Sequence, residues 1–233
     1  MGCTIPKTAM KNILLATLLC LIPLSAIAGT PYFPDKAGLT LQYERSEAGN
    51  GKTVWKHEMH ILKENSSKDG REMECLSRFS KPGGNQAADV EYKTMIDGDG
   101  NVTSDLAASL VSAIRNFFPK MEIKADFSPT TLPSELIPGE KLPDASAQIS
   151  IKGKIFSLNV NERKVLREET VTTPAGTFDC IVVTEHKTEK FSMYNRDTVS
   201  YTWYARGVGM VRHDTYKKGK LQTSETLVSI NEK

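Results

Sequence analysis

The chain has 233 residues, with 30 lysines and arginines against 28 aspartates and glutamates and a formal net charge of +2. So even a balance, with no basic block, argues against nucleic acid or an anionic membrane as a partner on bulk electrostatic grounds. Beyond the first residues, no apolar run approaches the roughly 20 that a spanning helix needs.

The N-terminus reads as a secretory signal. Lys7 and Lys11 precede an apolar run from Ile13 to Ile22 broken only by Thr17, and Ala26-Ile27-Ala28 offers small residues for cleavage. The expected division is a leader over 1–28 and one all-β domain over 29–233, periplasmic or secreted after cleavage near Ala28. Cys20 follows Leu18-Leu19, without the small residue that a lipidation site needs, and Cys3 precedes the apolar core. The expectation is therefore an exported protein without a lipid anchor. Removing the leader's two lysines leaves the mature chain formally neutral. The mature cysteines, Cys75 and Cys180, would meet an oxidising compartment that permits a disulfide. A buried free cysteine packs as a small hydrophobe equally well.

From residue 39 onward, period-two alternation dominates. Leu39, Leu41 and Tyr43 share one face, and Val54 to Leu62 continues the pattern with Trp55 and Met59 on one parity. Further strands are predicted over 71–79, 90–96, 121–127, 146–152, 155–172, 177–186, 197–206, 208–217 and 220–230. Turn signals such as Gly49-Asn50-Gly51, Lys152-Gly153-Lys154 and Lys218-Gly219-Lys220 separate many of them. One segment breaks the rhythm. Leu106, Leu110, Ile114 and Phe117 recur at helical spacing, Ser104 or Asp105 can cap the start, and Pro119 stops the run, which predicts a helix over 105–118.

Four prolines follow, at 129, 133, 138 and 143, interleaved with Leu132, Leu136, Ile137 and Leu142. That composition describes a packed crossover and not a solvated linker. It also divides the chain into comparable halves, 29–127 and 128–233. Each half carries a cysteine followed by a GxGxV run, Gly98-Asp99-Gly100-Asn101-Val102 and Gly207-Val208-Gly209-Met210-Val211. A duplicated β-meander fits this pattern. The fold expected is all-β, a strongly curved antiparallel sheet forming an open or closed barrel with the one helix packed on it. A two-sheet sandwich is the alternative.

Motifs that would carry chemistry are weak. His57-Glu58-Met59-His60 places its histidines three apart on a strand, hence on opposite faces, where the helical zinc motif needs them four apart on one face. Asp97 opens a run resembling a calcium loop, but Val102 stands at the sixth position where glycine is required and Ala108 at the twelfth where glutamate belongs. No GxSxG elbow occurs. Alternation over Tyr201-Thr202-Trp203-Tyr204 puts Tyr201 and Trp203 on one side and Thr202 and Tyr204 on the other, with core packing expected of at least one side.

Two stretches carry a resemblance. Thr173-Pro174-Ala175-Gly176-Thr177-Phe178-Asp179-Cys180 and Trp203-Tyr204-Ala205-Arg206-Gly207-Val208-Gly209-Met210-Val211 resemble the paired signatures of the TapB-like exported bacterial proteins, which are related to a larger group of envelope proteins of unknown function. Tyr32-Phe33-Pro34 and Gly38 to Tyr43 resemble that family's opening. The resemblance implies a secreted, mostly antiparallel β fold and brings no catalytic residues.

The functional expectation is an exported envelope protein with a binding or accessory role, with no catalytic, cofactor or metal residues assigned and an envelope protein or apolar ligand as partner. The alternative is a carrier of a lipid or acyl chain, with Leu106, Leu110, Ile114 and Phe117 lining an apolar groove. A hydrolase would require His213, His186 or the Asp97/Asp99 pair to converge with a nucleophile in one cleft.

Overall fold

The computed structural model describes residues 29–84, 86–105, 111, 123–151 and 153–232. The leader and the four apolar positions of the expected helix, Leu106, Leu110, Ile114 and Phe117, lie outside the described residues. What is described is strand. In chain order the elements are β1 (Leu39–Glu47), β2 (Thr53–Ser67), β3 (Gly70–Ser80), β4 (Gln86–Ile96), β5 (Val102–Ser104), β6 (Ile123–Phe127) and β7 (Thr130–Leu132). They continue as β8 (Ala145–Ile151), β9 (Lys154–Thr173), β10 (Gly176–Phe191), β11 (Tyr194–Ala205), β12 (Gly209–Lys217) and β13 (Lys220–Glu232).

All thirteen belong to one antiparallel sheet in the order β6-β8-β9-β10-β11-β12-β13-β1-β2-β3-β4-β5-β7. Tight turns join most neighbours, as the glycine signals required. The sheet continues across the two ends of the domain through β1 and β13, with Leu41 opposite Ile230 and Tyr43 opposite Leu227. Among the described residues the order ends at β6 and β7 and all thirteen strands form one sheet, so the structure is neither a closed barrel nor a two-sheet sandwich.

The sheet is nevertheless strongly curved. Val165 of β9 packs in one cluster with Met73 of β3 and Ile96 of β4, although a flat sheet with strands about 4.8 Å apart would separate β9 from β4 by roughly 38 Å. The edge strands meet in the same way. Only Ser128 and Pro129 separate β6 from β7, and three Cα steps reach about 10 Å. Ser128 N donates to Ser146 O on one side of this seam, while Thr130 pairs with Ser104 on the other.

Alternation then sorts the side chains. On the concave face lie Leu41 and Tyr43, Met59 and Ile61, Met73 and Cys75, Ile181 and Val183, and Leu227. The crossover from β7 to β8 is packed, as its leucines predicted. Leu132, Leu136 and Leu142 join the concave core, and Gly139 N donates to Val165 O while Val165 N donates to Glu140 O. On the convex face a smaller cluster forms from Val171, Cys180, Val182, Trp203, Ala205 and Val211. Leu41 and Leu227 are fully buried, so truncating either to alanine would cost about 2–5 kcal/mol.

The disulfide allowed for between Cys75 and Cys180 is not formed. Both thiols are free. Cys75 belongs to the concave core, while Cys180 alternates with Ile181 and therefore faces the convex cluster, six strand positions away. Each sulfur instead donates to the carbonyl two residues earlier, Met73 O and Phe178 O, at 3.6 Å.

Candidate binding site

The two GxGxV runs meet the same partner. Residues 29–34 form a strap that crosses one end of the sheet, and both glycine runs press against it. Gly100 has φ +87°, and a Cβ there would lie 2.3 Å from Gly29 O. Gly209 has φ +84°, and its Cβ would lie 3.1 Å from Pro34. Gly207 N donates to Pro31 O at 2.7 Å. Arg206 completes the clamp, its Nη1 donating to Thr30 O at 2.9 Å and to Ser134 O at 2.8 Å while its guanidinium lies 4.5 Å from the Tyr32 ring centre. Asn101 Oδ1 accepts from Ser134 N, so the strap, the β4–β5 turn and the crossover are tied together. Only glycine permits both the left-handed backbone and the close approach.

Behind the strap is a cavity of about 250 Å³. Among the described residues its walls are Tyr43, Met59, Tyr92, Tyr204 and Met210 from the sheet, Val102 and Leu132 from the short strands, and Tyr32, Phe33 and Pro34 from the strap. Polar groups enter at three points, His57, Ser104 and Thr130. Thr130 Oγ1 is buried and makes no hydrogen bond among the described residues. Tyr43 donates to Met210 O at 3.0 Å. Burial raises its phenol well above the ordinary tyrosine range and carries that of Tyr204 up to about 12. Both are neutral donors.

Beyond His57 the concave face turns polar. Glu225, 3% exposed, accepts from His57 Nδ1 at 3.1 Å and from Arg45 Nε at 2.9 Å. His57 Nε2 meets Ser77 Oγ at 2.9 Å, and the imidazole is stacked between Tyr43 and Phe79. Burial opposes the charge on Glu225, but the His57 hydrogen bond and the Arg45 charge outweigh it and hold the carboxyl near 2. Farther along, Thr202 hydrogen-bonds His213 Nδ1 at 2.8 Å. Burial, with Lys187 adding to it, lowers His213 to about 4. Burial also disfavours the charge on Glu185, yet Lys187 and Arg163 keep that carboxyl below its usual range.

At neutral pH His213 is uncharged and a poor base, Glu225 is fully ionised, and burial lifts the thiols of Cys75 and Cys180 to about 12 and about 11. None is poised near neutrality, where an acid–base catalyst or nucleophile works.

The residues singled out from the sequence are scattered. His213 lies on the concave face, His186 bonds Asn161 and Asp197 on β10, and Asp97 shapes the β4–β5 turn by accepting from the amides of Asp99 and Asn101. The three groups take separate partners, and the described contacts do not bring them together. His57 and His60 do face opposite ways, His57 toward Glu225 and His60 toward Thr40. Trp203 packs in the convex cluster under Arg212 at 4.8 Å, whereas Tyr204 faces the cavity. Glu225, Arg206 and the strap were not anticipated as a unit. The one cue was Glu225 sharing the parity of the buried Leu227.

Solved structures share the fold. A Bacteroides fragilis protein described as exported and of YmcC-like fold superposes with a TM-score of 0.71 at 21% identity, covering 87% of this chain and all of its own. A protein of Parabacteroides distasonis described as a lipoprotein gives a TM-score of 0.70 at 22% identity, over 87% of this chain and 99% of its own. No curated protein matches. The family is nonetheless defined, since the match over residues 36–227 contains the sheet up to the last residues of β13, the crossover and both glycine runs: the chain belongs to the DUF3108-like family.

Proposed function

We propose that this is an exported envelope protein that binds and does not catalyse, and that its ligand is a small apolar group held between the concave face and the strap. The observation that carries this reading is the cavity behind Tyr32, Phe33 and Pro34, apolar on most sides with a few polar tips. Sites that take drug-sized molecules run to roughly 300–1,000 Å³, so a cavity of about 250 Å³ fits the end of an acyl chain or one large apolar side chain of a partner. The off-neutral acids, thiols and histidine support binding over chemistry. Export is supported by the leader-like residues 1–28 and by the descriptions of the two structural relatives. The signatures around Cys180 and Arg206 support a place among the TapB-like proteins within the wider family.

Methionine methyl resonances provide the test, because Met59 and Met210 line the cavity and Met193 is remote from it. Titration with octanoate is expected to shift the Met59 and Met210 methyls and to leave Met193 in place. Met210→Trp, which fills the space, is expected to abolish the response. Unmoved Met59 and Met210 methyls at saturating octanoate would remove the apolar-ligand reading.

A further inference from the structure

At the end of β9–β11 opposite the strap, two hairpin tips stand side by side and expose apolar side chains. Met193 is 98% exposed, Ile155 59% and Tyr194 51%. They are not independent accidents of two loops. Phe191 is directly opposite Phe156 in the β10–β9 register and the two rings lie 6.4 Å apart, which ties the tips into one platform, with Tyr194 on the face of the rings and Ile155 on the other face of the same extremity. A soluble surface tolerates single exposed hydrophobes, but a group of them at an extremity marks a contact. The β10–β11 turn is built to present them: Ser192 adopts φ +54°, which throws Met193 outward at the apex.

Charge identifies the partner. Lys154 and Lys190 flank the platform, both exposed, and neither makes an ion pair among the described residues. The nearby acid Glu189 is engaged by Arg196 at 3.5 Å. The near-balanced charge of the whole chain thus conceals a local surplus of free cations beside a protruding apolar tip. Aromatic and thioether groups at the tip, with lysines set back from it, match the boundary between headgroups and acyl chains, where tyrosine and snorkelling lysines are favoured. We propose that this platform docks on a bilayer surface containing anionic lipids, with Met193, Tyr194 and Ile155 entering the headgroup boundary and Lys154 and Lys190 contacting phosphates. The contact is independent of the cavity, which lies at the other end of the same strands.

The test is co-sedimentation of the exported protein with vesicles of phosphatidylethanolamine and phosphatidylglycerol, against vesicles of phosphatidylcholine alone. Binding is expected for the anionic vesicles, weakening with salt. The double variant M193D/Y194D and the double variant K154E/K190E are each expected to lower it by roughly tenfold or more. All four side chains are exposed, so circular dichroism and the thermal midpoint should stay at wild-type values and separate lost docking from lost folding. Failure of the wild type to sediment with the anionic vesicles overturns the proposal, as does equal sedimentation of wild type and both variants. A dimer in sedimentation velocity that M193D/Y194D dissolves, without any vesicle binding, overturns it in favour of a second copy on the platform.

Discussion

His213 makes the stability of this sheet depend on pH in a defined window. Its imidazole is half-buried on β12, bonded to Thr202, with Lys187 and Glu185 facing it from β10, Glu225 from β13 and Arg45 from β1. Burial lowers it from 6.5 to about 4. The unfolded chain therefore binds a proton between those values that the folded chain refuses, and stability falls as pH falls from 6.5 toward 4. At about 1.36 kcal/mol for each pH unit, the full interval is worth roughly 3 kcal/mol. The perturbation is His213→Gln, which keeps an acceptor for the Thr202 hydroxyl and removes the titration. Urea unfolding at a series of pH values from 7 to 4.5 should show the wild type losing some 2–3 kcal/mol more than the variant across that range. The variant is expected to be less stable at pH 7, and its deficit should shrink on acidification. A constant difference between the two curves from pH 7 to 4.5 would refute the assignment.

Three further outcomes follow from the same geometry. Gly100→Ala combines a left-handed backbone with a Cβ 2.3 Å from Gly29 O, so it should cost roughly 2 kcal/mol or more, whereas Gly153→Ala, at φ +74° with open space around it, should cost about 1 kcal/mol; paired urea midpoints decide. Arg206→Ala removes both carbonyl contacts and the ring contact to Tyr32, and should release the strap at a cost of about 1–2 kcal/mol, read as faster amide exchange at Tyr32 and Phe33 with β9 to β11 unaffected. Cys75 and Cys180, raised by burial to about 12 and about 11, should resist iodoacetamide at pH 8 in the folded protein and both react in urea without reductant.

Local structure was legible because alternation and glycine turns act over a few residues. Leu39-Leu41-Tyr43 and the Lys218-Gly219-Lys220 turn formed as their spacing required. The proline-rich crossover packed because Leu132, Leu136 and Leu142 had to be buried somewhere. What stayed hidden is set by distance along the chain. Nothing near Tyr43 announces that Leu227 lies opposite it. The two GxGxV runs are legible as a recurring pattern, but that their left-handed glycines grip one strap is a relation that no local pattern encodes. Cys75 and Cys180 are both buried, but parity does not say which side of a curved sheet is concave. In β10 both parities are apolar, Ile181 with Val183 and Cys180 with Val182, so either face was an acceptable core.

The strap sets the order in which the molecule can be completed. Thr30 and Pro31 are held by Arg206 and Gly207, some 176 residues later, and β1 is flanked on one side by β13. A chain that emerges N-terminus first must leave both partners of its opening segment unsatisfied until almost all of it has emerged. Closing such a long loop is entropically costly and slow. The inner face of the cavity stays unwalled during that interval, because its last wall is the first part of the domain to appear and the last to dock. The time for which those apolar surfaces stand open is the interval in which a chaperone would be needed, and in which a ligand could enter without having to displace anything.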